Sequence, residues 1–135
     1  MQKEIRVACG LLITASGYVL VHELGYHKDK LLKCPGGQTD GQNATDAIIR
    51  EIYEEIGVRI SESDIKNFYD IDRGNYMMRF FNVNAEYVKF DELKKGPEIE
   101  FLKLFRNKKD LEMAICYEDV IPCHAAAITE LLKTA

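Results

Sequence analysis

The alternation of apolar and polar positions divides the chain into β-rich runs and two helical stretches. Ile5–Thr14 (IRVACGLLIT) is β-rich, and Ala15-Ser16-Gly17 forms a turn before YVLVHE at 18–23, so the pair predicts a hairpin. A polar loop (LGYHKDK) and a short LLK run lead to CPGG, which punctuates the chain. Helical spacing then holds over Ala44–Ile56. Strands follow at 67–71 (NFYDI) and 75–88 (NYMMRFFNVNAEYV). The second carries aromatics and methionines on both faces, which predicts a central, well-covered strand. KKGPE reads as a turn, IEFLKLF as another strand and KDLEMA as a short helical turn. After Pro122, CHAAAITELLKT reads as a closing amphipathic helix. Strands outnumber helices and their order is mixed, so the class is α/β or α+β, with helices packed on a mixed sheet.

The helix at 44–56 is marked at both ends. Asn43 is a good N-cap with Asp46 three residues on, and Gly57 is a natural terminator. At about 100° per residue, with Glu51 at zero, Glu55 falls near +40° and Glu54 near −60°. Ile48, Ile49, Ile52 and Ile56 then cover roughly +60° to +160°, and Arg50 lies near −100°. An apolar stripe therefore runs beside an arc of three carboxylates. Local stability does not ask for this arc. Glu51 and Glu55 repel at (i, i+4), and anions in the last turn oppose the helix dipole. A solvated acidic face is the plain alternative; a divalent cation is the ligand that would favour the cluster. The preceding CPGGQTDGQ supplies glycines that permit positive φ and close backbone approach.

Composition narrows the picture. The 135 residues predict one domain, 1–135, with a core large enough to need no staples. A net charge of −4 argues against nonspecific nucleic-acid binding, and a protein this acidic that handled phosphates would need positive charge from a metal or a few placed Lys and Arg. Cys9, Cys34, Cys116 and Cys123 have no zinc-like spacing, and Cys9 reads as a small buried hydrophobe. No signal layout and no membrane-spanning run is present, which predicts a cytoplasmic protein without membrane partners.

The stretch Gly36 to Val58 resembles the Nudix hydrolase box, G-x5-E-x7-R-E-U-x-E-E-x-G-U, with U a bulky aliphatic residue. Gly36, Arg50, Glu51, Ile52, Glu54, Glu55, Gly57 and Val58 match it. The resemblance implies a Nudix-type α/β/α sandwich, a mixed sheet with helices on both sides and a catalytic loop-helix-loop at 36–58. It also implies Mg²⁺-dependent hydrolysis, with Mn²⁺ a substitute, of a nucleoside diphosphate linked to X. Such a substrate is a nucleoside triphosphate, a dinucleoside polyphosphate or a nucleotide sugar. A diphosphate resists attack because its charges repel the nucleophile; a cation offsets them and a carboxylate takes the water's proton.

Carried over by position, Glu51, Glu54, Glu55 and the carbonyl of Gly36 are the implied metal ligands. Glu51 is alternatively the general base, a role whose place differs among family members, and Arg50 orients the glutamates. A further glutamate from a later loop is expected at Glu98 or Glu100, with Glu100 preferred because it precedes an apolar strand. Gly36, Gly37, Tyr76 and Arg79 are candidate substrate contacts, with Tyr26, His27, Lys28 and Arg73 as weaker ones. Tyr76 falls at the spacing past the box where members that cleave dinucleoside polyphosphates carry a tyrosine. The implied partner is a small-molecule nucleotide, and a homodimer is left open.

Gln42 stands where the box has its first glutamate, and the loop is one residue short when counted from Gly37. Glutamine keeps the reach of glutamate and loses its charge. An active enzyme with an atypical loop is the leading expectation. A catalytically impaired nucleotide-binding or interaction module is the alternative, and hydrolysis of a non-nucleotide phosphate ester is the third.

Overall fold

The computed structural model describes residues 3–25 and 30–134. Its centre is β1 (Ile5–Thr14). One edge of β1 pairs in parallel with β5 (Met77–Ala85) from Ile5↔Met77 to Thr14↔Ala85. The other edge is shared. Near the hairpin turn, Leu12–Thr14 pair antiparallel with β2 (Gly17–Glu23), while Val7–Cys9 pair antiparallel with β3 (Gly36–Gln38). β4 (Ile65–Asp72) flanks β5, and β6 (Ile99–Phe105) flanks β2, so the order is β4-β5-β1-β2-β6 with β3 beside β1. The expectation of a central strand at 75–88 is met by β5, with β4 on one side and β1 on the other.

Alternation along these strands separates two cores. Ala8, Leu12, Val19, Val21, Phe81, Val83 and Ile99 point to one face, where α1 (Ala44–Ile56) lays down Ala47, Ile48, Ile52 and Ile56. Cys9, Leu11, Leu20, Met78, Phe80 and Phe105 point to the other. There α2 (Lys108–Cys116) contributes Leu111 and α3 (Pro122–Lys133) contributes Ile128 and Leu131. The result is the α/β/α sandwich, with α1 alone on its face.

Two differences from the sequence reading have local causes. GGQ was expected as loop, and it is a short strand because Gly36–Gln38 lie in register on Cys9–Val7. Gly36 has φ +150°, and a Cβ there would sit 2.3 Å from the Ala8 carbonyl oxygen, so this approach requires glycine. The short turn expected at 109–114 is a full helix, with Asn107 accepting from the Asp110 N–H and Leu111 and Ala114 buried. Among the described residues, no helix is long and apolar enough to cross a membrane.

Ile52 is fully buried between α1 and the sheet. Ile52→Ala should lower unfolding free energy by about 2–5 kcal/mol, read from urea titration. An unchanged midpoint would contradict this packing.

Candidate active site

The angular order of the three glutamates about α1 determines their burial. Glu55, nearest the apolar stripe, is buried; Glu51 keeps 13% of its side chain exposed and Glu54 keeps 57%. The sheet makes room for the inner two through its glycine pair. Gly37 has no side chain where a Cβ would lie 2.9 Å from the Glu51 carboxylate, and Gly36 donates its N–H to Glu55 Oε1 at 3.2 Å. Glu51 lies within hydrogen-bond reach of Glu55. Burial, and then this neighbouring carboxylate, push Glu55 up to about 9 against the pull of Lys33 and the Gly36 N–H.

Arg50 ties the preceding loop to the glutamates. One Nη2 donates to the Gln38 carbonyl at 2.8 Å and to Glu51 Oε1 at 2.9 Å, Nε stands 3.7 Å from Glu54, and Nη1 donates to Gln42 Oε1. Gln42 therefore reaches the cation despite its missing charge, and Asp40 stands 3.7 Å from Arg50. The short loop closes through a tight turn, the Gln42 N–H donating to the Thr39 carbonyl at 3.0 Å. Asp40 (φ 52°) and Gly41 (φ 86°) have positive φ at both central positions, as a type I′ turn demands. Asp46, the other charge near the loop, is occupied at the N-cap, where its N–H meets Asn43 at 2.8 Å.

A second loop closes the far end. The N–H groups of Lys94 and Gly96 donate to the carbonyls of Ile56 (3.0 Å) and Glu55 (2.8 Å), satisfying the helix end. This loop and α1 enclose a cavity of about 260 Å³ lined by Glu54, Glu55, Gly96, Pro97, Glu98 and Ile99. Of the two later glutamates, the structure brings Glu98 to the cavity. Glu100 sits at an irregularity of the β2–β6 ladder, between Phe101 opposite His22 and Ile99 opposite Glu23, and meets Lys30 at 3.5 Å.

The other sequence candidates lie apart from this cavity. Tyr76 lines a cavity of about 440 Å³ with Arg6, Gln38 and Asp40. Arg79 forms a fork on Asp70, both bonds 2.8 Å, under the Phe68 ring at 3.7 Å. The Arg73 N–H closes a turn on the Tyr76 carbonyl. Tyr26, His27 and Lys28 lie outside the described residues. His124 was not singled out as a site residue, and it has a supporting role: Nδ1 accepts the Cys34 N–H at 3.0 Å, which holds the CPGG segment from the α3 side.

A family model, NUDIX domain, matches residues 4–119. The chain belongs to the Nudix family. No curated protein matches it. Solved structures share the Nudix fold at low identity. The bifunctional NMN adenylyltransferase/ADP ribose pyrophosphatase of Francisella tularensis, complexed with AMP and a Mn ion, has a TM-score of 0.78 at 17% identity; the match covers 98% of this chain and 42% of that one. This chain thus spans less than half of that relative. A MutT structure, from a study of the Aliivibrio salmonicida and Vibrio cholerae proteins, gives 0.75 at 15%, covering 98% and 100%. The C. elegans Ap4A hydrolase binary complex gives 0.70 at 15%, covering 96% and 97%. The Nudix box is the loop-helix-loop of β3, the Asp40-Gly41 turn, α1 and Gly57.

A carboxyl raised in the fold binds its proton more tightly there than in the unfolded chain. Metal-free stability should therefore fall as pH rises from the ordinary value of 4.5 towards about 9. Glu55→Gln should flatten this slope and raise the melting temperature in EDTA at pH 8. A variant melting lower than wild type at that pH would contradict a buried, charge-burdened Glu55.

Proposed function

We propose that the protein is a divalent-metal-dependent hydrolase that cleaves a diphosphate linkage in a nucleoside diphosphate linked to X. The observation that carries the reading is buried Glu55 with half-buried Glu51 beside it, held against a glycine pair at a cavity lined by Glu54, Glu55 and Glu98. Two carboxylates in contact and away from water are unfavourable unless a proton or a cation lies between them. Among the described residues, no three acidic, histidine or cysteine side chains stand placed to hold a metal ion together. The donor set is all hard oxygen, which suits Mg²⁺ or Mn²⁺, ions that keep waters and take substrate phosphates as ligands. Glu51, Glu55 and the Gly36 carbonyl would hold the ion, and Glu54 would join by leaving Arg50. When bound, the cation offsets phosphate charge and acidifies water.

The chain's own groups do the rest. Arg50 fixes Glu51 and the 38–42 loop together, so the base and the loop keep one geometry. Glu51 accepts a proton from the attacking water, and Glu98 supplies the carboxylate expected from beyond the box. Glu100, the preferred candidate from sequence, stands beside Lys30 at the start of β6. The Mn ion and AMP of the Francisella tularensis structure, and the Ap4A hydrolase among the neighbours, support a divalent ion and a nucleotide here. The impaired-module alternative rested on Gln42, and its retained bond to Arg50 favours the active reading.

Purified protein should release phosphate or pyrophosphate from one class among nucleoside triphosphates, ADP-ribose and dinucleoside polyphosphates with Mg²⁺, and none in EDTA. Glu54→Gln should abolish turnover while keeping its melting temperature within a few degrees of wild type. Silence across the panel with nucleotide still bound would replace the enzyme by the binding module.

A further inference from the structure

The reading above leaves one buried ion pair without a role. Lys33 lies in a bridge with Val21, each N–H donating to the other's carbonyl at 2.9 Å. Cross-strand partners share a face of the sheet, and Val21 belongs to the core beneath α1. The lysine side chain is therefore delivered to the face that carries Glu51 and Glu55. Its Nζ donates to Glu23 Oε1 at 2.9 Å, with 8% of the lysine side chain and 19% of the glutamate exposed. The same ammonium acts electrostatically on Glu55. Three residues further on, the Gly36 N–H holds that carboxylate.

The charges then alternate across the site. Glu23, Lys33, the Glu55–Glu51 pair and Arg50 bring three carboxylates between and beside two fixed cations. Arg50 serves the outer end, near solvent, and Lys33 the inner end. A pair needed only to satisfy Glu23 would be a poor bargain in a buried place, because desolvation offsets most of the attraction. Next to an excess of buried carboxylate, the same ammonium has a second anion to act on.

We propose that Lys33 is a built-in cation at the inner end of the carboxylate cluster that limits how strongly the cluster draws divalent ions. This rests on the metal-dependent reading of the site. Opposite changes to the pair should have opposite effects. Lys33→Met removes the built-in cation from beside Glu23 and the carboxylate cluster, so Mn²⁺ should bind at least tenfold tighter, or a further ion should bind. Glu23→Gln removes one negative charge from beside Lys33, so more of the ammonium's field falls on the cluster and Mn²⁺ should bind several-fold more weakly. A purely structural pair would weaken Mn²⁺ binding in both variants or change it in neither.

The test is Mn²⁺ titration of the full chain followed by electron paramagnetic resonance of the free ion, with melting temperatures in EDTA and in Mn²⁺. The Lys33→Met protein should melt lower than wild type in EDTA and recover more than wild type gains when Mn²⁺ is added, because the ion takes over the missing charge. Lys33→Arg, which keeps the charge, should bind Mn²⁺ within a few-fold of wild type. If Lys33→Met does not fold, Lys33→Arg and Glu23→Gln carry the test. Wild-type protein that binds Mn²⁺ while Lys33→Met binds it no tighter overturns the role of Lys33 alone. Wild-type protein that binds no Mn²⁺ overturns the metal-dependent reading and this role with it.

Discussion

A helix can lay carboxylates against a sheet only where the sheet carries no side chains to hold it away. Gly36 and Gly37 supply that opening. One lets β3 press onto β1, and the other leaves the space that the Glu51 carboxylate fills. The rest of the site follows from this contact. With β3 pinned to β1, the Asp40-Gly41 turn brings Gln42 back to Arg50, and Arg50 fastens the turn to Glu51 and Glu54. At the other end, Gly96 fits where a Cβ would lie 2.1 Å from the Glu54 carbonyl, so the 94–97 loop can cap α1 and wall the cavity.

This arrangement sets function against stability. The isoleucines of α1 secure the helix to the sheet by burying apolar surface, and the same docking forces Glu55 out of water. The Gly36 N–H and Lys33 each relieve part of the charge, and burial still holds the Glu55 carboxyl far above the ordinary range. A residual need for positive charge is what a site awaiting a cation should show. Gln42 is consistent with this frame: its carbonyl oxygen reaches Arg50, while Asp40 supplies a nearby negative charge.

Much of the fold was legible because it was written in local terms. Asn43 and Gly57 bracket α1, and its 3.6-residue period ranked Glu55, Glu51 and Glu54 in the order of their burial. β5 announced itself as central by apolar residues on both faces. What stayed hidden depended on pairing between distant segments. GGQ has no strand signature; it becomes β3 only because β1 offers an unpaired edge. Glu100 looked well placed ahead of an apolar strand, and the irregular β2–β6 ladder sets it beside Lys30 while Glu98 lines the cavity. Arg79 has the composition of a phosphate ligand, yet Asp70 and Phe68 on the neighbouring strand occupy it. Nothing local marks Lys33; its bridge to Val21, well away along the chain, carries it beneath the helix face.

The central claim is that Glu55 holds a proton in the place of a divalent ion. Isothermal titration of the metal-free protein with Mg²⁺ or Mn²⁺ at pH 8, in two buffers of different ionisation enthalpy, measures this directly as protons released per ion bound. The account predicts binding with release of about one proton, because a carboxyl raised to about 9 is still largely protonated at that pH. Binding with no proton exchanged, or no binding at all, would contradict it.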